Sequence, residues 1–114
     1  NRMEIIPEYR AGLVALTKQD YLDFEIQRGD TEGIVNYILM LDGISVAAFI
    51  REQPTIVKLS LRSKGDISVQ DMARKHFNGG GHKNASGGAA YAKLEDIVAR
   101  FKKVLPDYVA KREL

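Results

Sequence analysis

The spacing of hydrophobic residues along this chain predicts both strands and helices. Residues 56–63 alternate between apolar and polar side chains, which is the period of a half-buried strand, and the polar side of this strand ends in Arg62. Apolar runs within residues 11–18 and 44–51 predict two more strands, each covered on both faces. Small residues and one tyrosine predict a fourth, short strand at 88–92.

Apolar residues three and four positions apart predict four helices. The clearest stripe covers residues 94–105, with Lys and Arg on the opposite side, and Pro106 ends it. Another helix follows Ser68, a candidate N-cap, and stops before a run of glycines. Shorter patterns predict helices at 20–26 and 30–41.

Length and composition are those of one globular domain. The 114 residues, 45% of them hydrophobic, suffice for a core that needs no disulfide or structural metal. The absence of cysteine excludes disulfides, cysteine-ligated zinc and thiol catalysis. Four strands with four helices then predict an α/β domain, or an α+β one, in which helices pack against a central mixed sheet of about four to five strands.

No apolar stretch approaches the roughly twenty residues that span a bilayer, and no signal segment opens the chain, so we expect a cytoplasmic protein with no membrane partner. The net charge of +2, from 17 Lys and Arg against 15 Asp and Glu, is too balanced for a surface that binds duplex nucleic acid throughout, although it allows a local basic cleft. The chain begins at Asn1 rather than Met. We therefore expect a piece of a longer protein, with residues 1–10 as the remnant of an interdomain linker and 11–114 as the domain.

Residues 78–88 carry the most informative motif, Asn-Gly-Gly-Gly-His-Lys-Asn-Ala-Ser-Gly-Gly. Gly79, Gly80 and Gly81 leave the backbone free to turn its N–H groups inward, which would form an anion-binding nest. His82 follows directly and can donate a hydrogen bond to a phosphate, as can the lysine and asparagine after it. The same glycines also suit a plain connector between a helix and a strand, and composition alone favours neither interpretation.

The two histidines do not indicate a metal site. A single histidine such as His82 is more often packed or solvated than catalytic, and zinc would need at least two further ligands that the sequence does not place beside it. His76 lies on the apolar stripe of its helix, so we assign it no role. The carboxylates are scattered over caps and turns, which predicts neither an acid/base pair nor a two-metal cluster.

Arg62 also has two interpretations. It is either an exposed charge on a solvated sheet surface or, if the glycine segment returns to the same edge of the sheet, a guanidinium that clamps a phosphate in bidentate fashion. In the second case Lys58, Lys64 and Lys83 would add to a local positive field.

Three motifs in order along the chain resemble those of a known family. They are Asp-Thr-Glu-Gly-Ile-Val-Asn at 30–36, Leu-Ser-Leu-Arg-Ser at 59–63, and the Gly-Gly-Gly-His segment followed by Asn-Ala-Ser-Gly. On these motifs, residues 3–114 resemble the DHH-associated C-terminal domain of DHH (Asp-His-His) phosphoesterases. The most similar branch is that of bacterial nanoRNases and phosphoadenosine-phosphate phosphatases, often labelled exopolyphosphatase-related. The resemblance favours the nest over the connector.

The resemblance implies a substrate-binding role for this chain. In such enzymes an N-terminal DHH domain holds two divalent metals, typically manganese, and the C-terminal domain faces it across a cleft and binds the phosphate and nucleoside. The implied partners are that DHH domain and a short RNA or DNA oligonucleotide or nucleotide phosphate, while a homodimer stays open. This chain has no Asp-His-His motif, so no catalytic residue, metal ligand or bound cofactor is assigned to it. The positions that match as substrate-binding residues are Arg62, Ser63, Gly79, Gly80, Gly81, His82, Asn36 and Asn84.

The resemblance points to substrates such as short oligonucleotides or 3′,5′-bisphosphorylated nucleosides. The alternative is a non-catalytic module that binds single-stranded nucleic acid. Such modules present aromatic platforms beside basic grooves, whereas the five Tyr and four Phe of this chain lie mostly on apolar stripes. A purely structural or dimerising domain would leave the glycine segment and Arg62 unexplained.

Overall fold

The structure is a computed structural model that describes residues 2–23 and 28–112. Its one sheet has six strands in the order β1-β2-β3-β4-β6-β5, and four helices pack against it. Within these residues, no helix is long and apolar enough to cross a membrane. In chain order the elements are β1 (Met3–Ile6), β2 (Ala11–Leu16), α1 (Lys18–Asp23), α2 (Arg28–Met40), β3 (Val46–Glu52), β4 (Val57–Ser63), α3 (Val69–His76), β5 (Gly80–His82), β6 (Ala85–Ala90) and α4 (Leu94–Val104), with short 3-10 turns at Pro7–Tyr9 and Leu105–Asp107.

The sheet is mixed, as the sequence predicts. β2 and β3 run parallel, because α1 and α2 return the chain between them, and the other neighbouring strands are antiparallel. The predicted α/β class is confirmed, with six strands where four to five were expected. The sequence patterns missed β1 and β5, which lie at the two edges of the sheet.

The segment assigned to a linker contributes one of these edges. β1 pairs with β2, with Met3 opposite Val14 and Ile6 opposite Ala11. This part of residues 1–10 therefore belongs to the sheet, while the position at which the domain begins in a longer protein stays a prediction. The helix predicted at 20–26 is found as α1, and residues 24–27 lie outside the described residues.

One face of the sheet, here called the core face, is packed against α3 and α4. Alternate residues of the central strands point to this face and are buried, which is why the period-two pattern of β4 predicts the strand correctly. The apolar stripes of α3 and α4 close over them, with Met72 and Phe101 fully buried. The strand residues of this core are Ala11, Leu13, Val46, Ala48, Ile50, Val57, Leu59, Leu61 and Ala90.

The opposite face is covered only in part. α2 packs against β2, β3 and β4 on this side through a smaller cluster that includes Val35, Ile38 and Phe49. Beyond α2, the same face continues over β4, β6 and β5 with residues that are exposed or half-buried. We call this continuation the polar strip: Lys58, Ser60 and Arg62 of β4, Ala85, Gly87 and Ala89 of β6, and His82 of β5.

Side-chain caps fix the starts of two helices. Ser68 caps α3 as predicted, because its hydroxyl accepts a hydrogen bond from the Asp71 N–H at 3.1 Å. At α1, Thr17 and Asp20 cap each other: the Asp20 N–H donates to the Thr17 hydroxyl, and the Thr17 N–H donates to the Asp20 carboxylate. Arg2 also donates two hydrogen bonds to Asp20, and this contact lowers the pKa of Asp20 to about 2.

Candidate functional site

Strand register brings two of the predicted site residues into one row. Arg62 of β4 lies opposite Ala85 of β6, and Ala85 lies opposite His82 of β5. Residues that face each other in antiparallel strands point to the same side of the sheet. Arg62 and His82 therefore share the polar strip, and two interstrand spacings of about 4.8 Å place their backbones roughly 10 Å apart.

Small side chains fill the space between and beside these two residues. Ala85 separates Arg62 from His82, and Gly87 and Ala89 continue the row along β6. Lys58 stands on the same side of β4, four residues from Arg62, and is exposed. The polar strip is therefore a low surface with a guanidinium, an imidazole and an ammonium group around its rim, open enough for a flat ligand to reach the backbone.

Arg62 is held in place by α2. Its side chain is only 16% exposed, and its guanidinium donates to the Glu32 carboxylate at 2.6 Å and to the Leu61 carbonyl at 2.9 Å. The Arg62 guanidinium lowers the pKa of Glu32, and a hydrogen bond from Asn36 adds a smaller lowering. The structure thus brings together Arg62 and the predicted site residue Asn36, with Glu32 between them.

Glu32 is the residue that the sequence analysis missed. From the sequence it counts as one of the scattered carboxylates, although it lies inside the 30–36 motif. The available signal was its spacing from Asn36, since residues four apart lie on one side of a helix. What the sequence did not supply was Arg62, thirty positions away, as its partner.

The three glycines do not form the expected nest, and that prediction is wrong. Gly80 and Gly81 belong to β5 and pair with Gly87 and Ser86, while the Gly79 N–H donates to the Ala73 carbonyl at the end of α3. Extended backbone paired in a ladder does not converge its N–H groups on one point. A role for these glycines in substrate binding stays a prediction.

Close packing is what requires glycine in this segment. Gly81 has a φ of +143°, and a Cβ added there would lie 2.7 Å from the Ala85 carbonyl oxygen. A Cβ at Gly79 would overlap the Gly87 carbonyl oxygen. Gly80 differs, because a Cβ there would have only ordinary contacts with Arg74. The segment combines the two interpretations of the sequence: it packs closely against β6, and it carries His82 to the polar strip.

Ser63 and Asn84 meet each other rather than Arg62. Ser63 is one position beyond Arg62 and points to the core face, where it is 5% exposed and donates to the Ile67 carbonyl. The Asn84 amide donates to the Ser63 hydroxyl at 2.9 Å and to the Gly65 carbonyl at 3.2 Å. These contacts tie the hairpin turn to the loop after β4. A further role for Ser63 and Asn84 in substrate binding stays a prediction.

The lysines expected to add positive charge are spread around the strip. Lys83 is exposed in the hairpin turn and pairs with Asp66 at 3.1 Å, which neutralises part of its charge. Lys64 is exposed in the loop after β4, two positions beyond Arg62. Lys58 and Arg62 are therefore the two cationic residues of β4 that point to the polar strip.

The two histidines have different surroundings. His82 is exposed, and its backbone carbonyl accepts a hydrogen bond from Ser86. His76 stacks edge-on against Phe77 and Tyr108 on the other side of the sheet, in agreement with its place on an apolar stripe. Among residues 2–23 and 28–112, no group of three or more His, Cys, Asp or Glu could hold a metal ion.

A cavity of about 280 Å³ lies apart from all of these residues. It is formed at the turn between β3 and β4, at the opposite end of β4 from Arg62. Its lining contains none of the predicted site residues and consists of Lys18, Leu22, Glu52, Gln53 and Pro54.

Comparison with curated proteins finds two relatives named NrnA and a 3′,5′-cyclic-nucleotide phosphodiesterase of Helicobacter pylori, which is 34% identical over 87 residues covering 67% of this chain and 24% of that protein. The bifunctional oligoribonuclease and PAP phosphatase NrnA of Thermus thermophilus is 37% identical over 76 residues, which cover 67% of this chain and 22% of that protein. The protein of the same name from Bacillus subtilis is 30% identical over 87 residues, covering 76% of this chain and 27% of that protein. This chain thus spans about a quarter of the length of these relatives.

Solved structures agree with the sequence matches. An exopolyphosphatase-related protein from Bacteroides fragilis superposes with a TM-score of 0.87 at 39% identity, over 93% of this chain and 31% of that one. The fold is also similar to that of the C-Ala domain of Aquifex aeolicus alanyl-tRNA synthetase, with a TM-score of 0.61 over 90% of this chain and 96% of that one. The identity is 12%, so this likeness concerns the fold alone.

The sequence profile of the DHHA1 domain matches residues 13–107. That range runs from β2 to the turn after α4, so it contains both α2 and the strands that carry Arg62 and His82. The resemblance drawn from the three sequence motifs is confirmed, and this chain belongs to the DHHA1 domain family.

Proposed function

We propose that this domain is the substrate-binding part of a phosphoesterase that acts on short oligonucleotides or 3′,5′-bisphosphorylated nucleosides, with the polar strip as its phosphate-binding surface. The observation that carries the proposal is the register that puts Arg62 and His82 in one row on the open side of the sheet. The names of two of the relatives, each a bifunctional oligoribonuclease and PAP phosphatase, support the substrate class.

The chemistry of the strip suits a phosphate ester. A guanidinium presents a planar set of N–H donors that match phosphate oxygens, and an imidazole can donate one more hydrogen bond. The low surface of Ala85, Gly87 and Ala89 leaves room for a sugar or a base beside the bound phosphate. Asn36 stands on α2 next to Glu32 and would contact the same ligand from the rim.

The hydrolytic step belongs, in this proposal, to a preceding DHH domain of the same polypeptide. The relatives are about three times as long as this chain, which leaves room for such a domain. Two divalent metals there, typically manganese, would supply the activated water that attacks phosphorus. The described residues of this chain hold no metal-ligand cluster, so its own contribution is to bind the phosphate ester and orient it.

Titration of the chain with a dinucleoside monophosphate tests the proposal. We expect residue-resolved chemical-shift changes along β4, β5 and β6, and a ten- to hundredfold loss of affinity in Arg62→Gln, because a charge-assisted hydrogen bond contributes about 1.5–3 kcal/mol. Lys103→Gln removes one positive charge from α4 and serves as the matched control. Equal affinities of Arg62→Gln and the parent chain would refute the phosphate site.

The second histidine provides a matched control for the first. In the full-length protein we expect His82→Ala to lower turnover of a dinucleotide by roughly ten- to a hundredfold with unchanged metal content, and His76→Ala to leave turnover unchanged. Since Lys83 directly follows His82, the double variant should lose more than the single one. Loss of bound metal in His82→Ala, or full turnover, would remove His82 from the substrate site.

The isolated chain also distinguishes this proposal from a complete enzyme. We expect no manganese-stimulated hydrolysis by the 114-residue chain, because a two-metal mechanism needs carboxylate and histidine ligands that the proposal places in the other domain. Turnover that co-purifies with the chain through several columns and is lost in Arg62→Gln would contradict this division of labour.

A further inference from the structure

The carboxylate of Glu32 accepts a hydrogen bond from the Arg62 guanidinium, which is the group that the proposed function assigns to a phosphate. Its Oε1 lies 2.6 Å from the guanidinium, and the Asn36 side chain donates to the same carboxylate. Arg62 is mostly covered, whereas Glu32 is 69% exposed at the rim of the polar strip. Arg62 and Asn36, which the proposed function assigns to phosphate binding, therefore already contact an anionic side chain of the protein itself, that of Glu32.

The charge of that internal anion affects every ligand that reaches Arg62. When a phosphate binds, the carboxylate either shares the guanidinium or swings aside, and in both cases a negative charge remains within a side chain's length of the phosphate. Repulsion between point charges grows in proportion to the charge of the ligand. A phosphodiester carries one negative charge, whereas a terminal phosphomonoester carries nearly two above its second pKa of about 6.

We propose that Glu32 is a specificity-determining residue, whose charge weakens the binding of a doubly charged terminal phosphomonoester at Arg62 more than the binding of a singly charged internal phosphodiester. This inference rests on the proposed function and names the kind of phosphate that the site takes. Arg62 alone would attract a dianion about twice as strongly as a monoanion, and Glu32 offsets this advantage because its repulsion also doubles for the dianion.

Glu32→Gln tests the inference, because glutamine keeps the shape and one acceptor oxygen, removes the charge, and replaces the second oxygen by an NH2 group. The probes are a dinucleoside monophosphate, which is a monoanion, and a nucleoside 5′-monophosphate at pH 8, which is a dianion. We expect the variant to bind the first about threefold and the second about tenfold more tightly, in line with the modest size of interactions between exposed charges. Both gains should shrink in 1 M salt, where screening acts over about 3 Å.

Glu95→Gln is the matched control, since it removes the same charge from the exposed start of α4 behind the core face. We expect this control to change both affinities equally and by less than twofold. Equal gains for the two ligands in Glu32→Gln would overturn the inference, as would a loss of affinity, which would make Glu32 a residue that merely positions Arg62.

Arg62→Gln separates failure of this inference from failure of the proposed function. If Arg62→Gln binds the dinucleoside monophosphate as well as the parent does, the phosphate site itself is refuted. If Arg62→Gln loses affinity but Glu32→Gln shows no preference between the ligands, only the role of Glu32 is refuted. A tenfold gain for the monoester that disappears in the Arg62→Gln, Glu32→Gln double variant would support both.

Discussion

The two faces of the sheet differ in what covers them, although the same strands build both. The core face carries Leu59 and Leu61 of β4 beneath α3 and α4, and both are buried. The polar strip carries Ser60 and Arg62 from the same strand and has no apolar side chain on β6 larger than alanine. Buried apolar contacts are therefore concentrated on the core face, whereas the proposed phosphate site lies on the other face.

Because of this separation, substitutions at two neighbouring residues of one strand are expected to have different effects. A substitution on the core face removes buried contacts, whereas one on the strip changes a surface that is already in contact with water. Pairs of adjacent residues in one strand thus give matched tests, because the backbone and the hydrogen-bonding partner strands stay the same within each pair.

The largest effect is expected at Leu61, next to Arg62. Leu61 is fully buried, so Leu61→Ala should lower the free energy of unfolding by about 2–5 kcal/mol through lost burial and a cavity. Arg62→Gln should lower it by no more than about 1 kcal/mol, since it loses a partly exposed ion pair. Urea unfolding of both variants measures the contrast, and similar losses would abolish the distinction between the faces.

The next effect separates two adjacent glycines of β5. Gly81→Ala should cost about 1–3 kcal/mol, because alanine is strained at a φ of +143° and its Cβ would press on the Ala85 carbonyl. Gly80→Ala should change stability little, since its Cβ has room. If Gly80→Ala nevertheless weakens nucleotide binding, the added methyl group lies where the ligand approaches. Thermal unfolding with a parallel titration distinguishes these results.

A smaller effect is expected at Asn84. Asn84→Ala removes hydrogen bonds to the Ser63 hydroxyl and the Gly65 carbonyl, which should cost about 1 kcal/mol of stability with less than a twofold change in nucleotide affinity. Chemical denaturation and the same titration measure both quantities. A large loss of affinity at unchanged stability would instead return Asn84 to the binding site, as the family motif predicts.

The smallest effect concerns Asp20, which anchors the start of α1 through its contacts with Arg2 and Thr17. Its pKa in the folded protein, about 2, lies below the unfolded value of 3.8, so its charge stabilises the fold above pH 4. That contribution is lost as the pH falls from about 4 towards 2. Asp20→Asn should therefore unfold more easily than the parent at pH 7, and the difference should fade by pH 2. A constant difference in stability over this range would mean that the shape of the Asp20 side chain, rather than its charge, accounts for the effect.

The sequence predicts the interior better than the edges. β4 and α4 follow from periodicity because burial on one side determines every second, or every third and fourth, residue. β1 and β5 were missed because four residues and three residues are too short for a period, and glycine carries no side-chain signal. Their pairing is a property of the assembled sheet.

The candidate site shows the same limit. The motifs placed Arg62 and Ser63 together, yet the alternation that predicts β4 also sends neighbouring side chains to opposite faces, and the structure separates them accordingly. The contact of Arg62 with Glu32 was beyond reach, because nothing in the sequence aligns the start of α2 with the end of β4. His82 needed β5 to be recognised as a strand before its face could be assigned.

The short outer strand also bears on how this domain behaves in concentrated solution. An edge strand offers unpaired amides and carbonyls to any other chain with a free edge, and proteins guard against such contacts by keeping edges short or covering them. β5 is three residues long, and the Gln70 side chain of α3 donates to the Gly81 carbonyl. A carbonyl that a neighbouring molecule could have used is thus already engaged, which helps the domain resist aggregation through that edge.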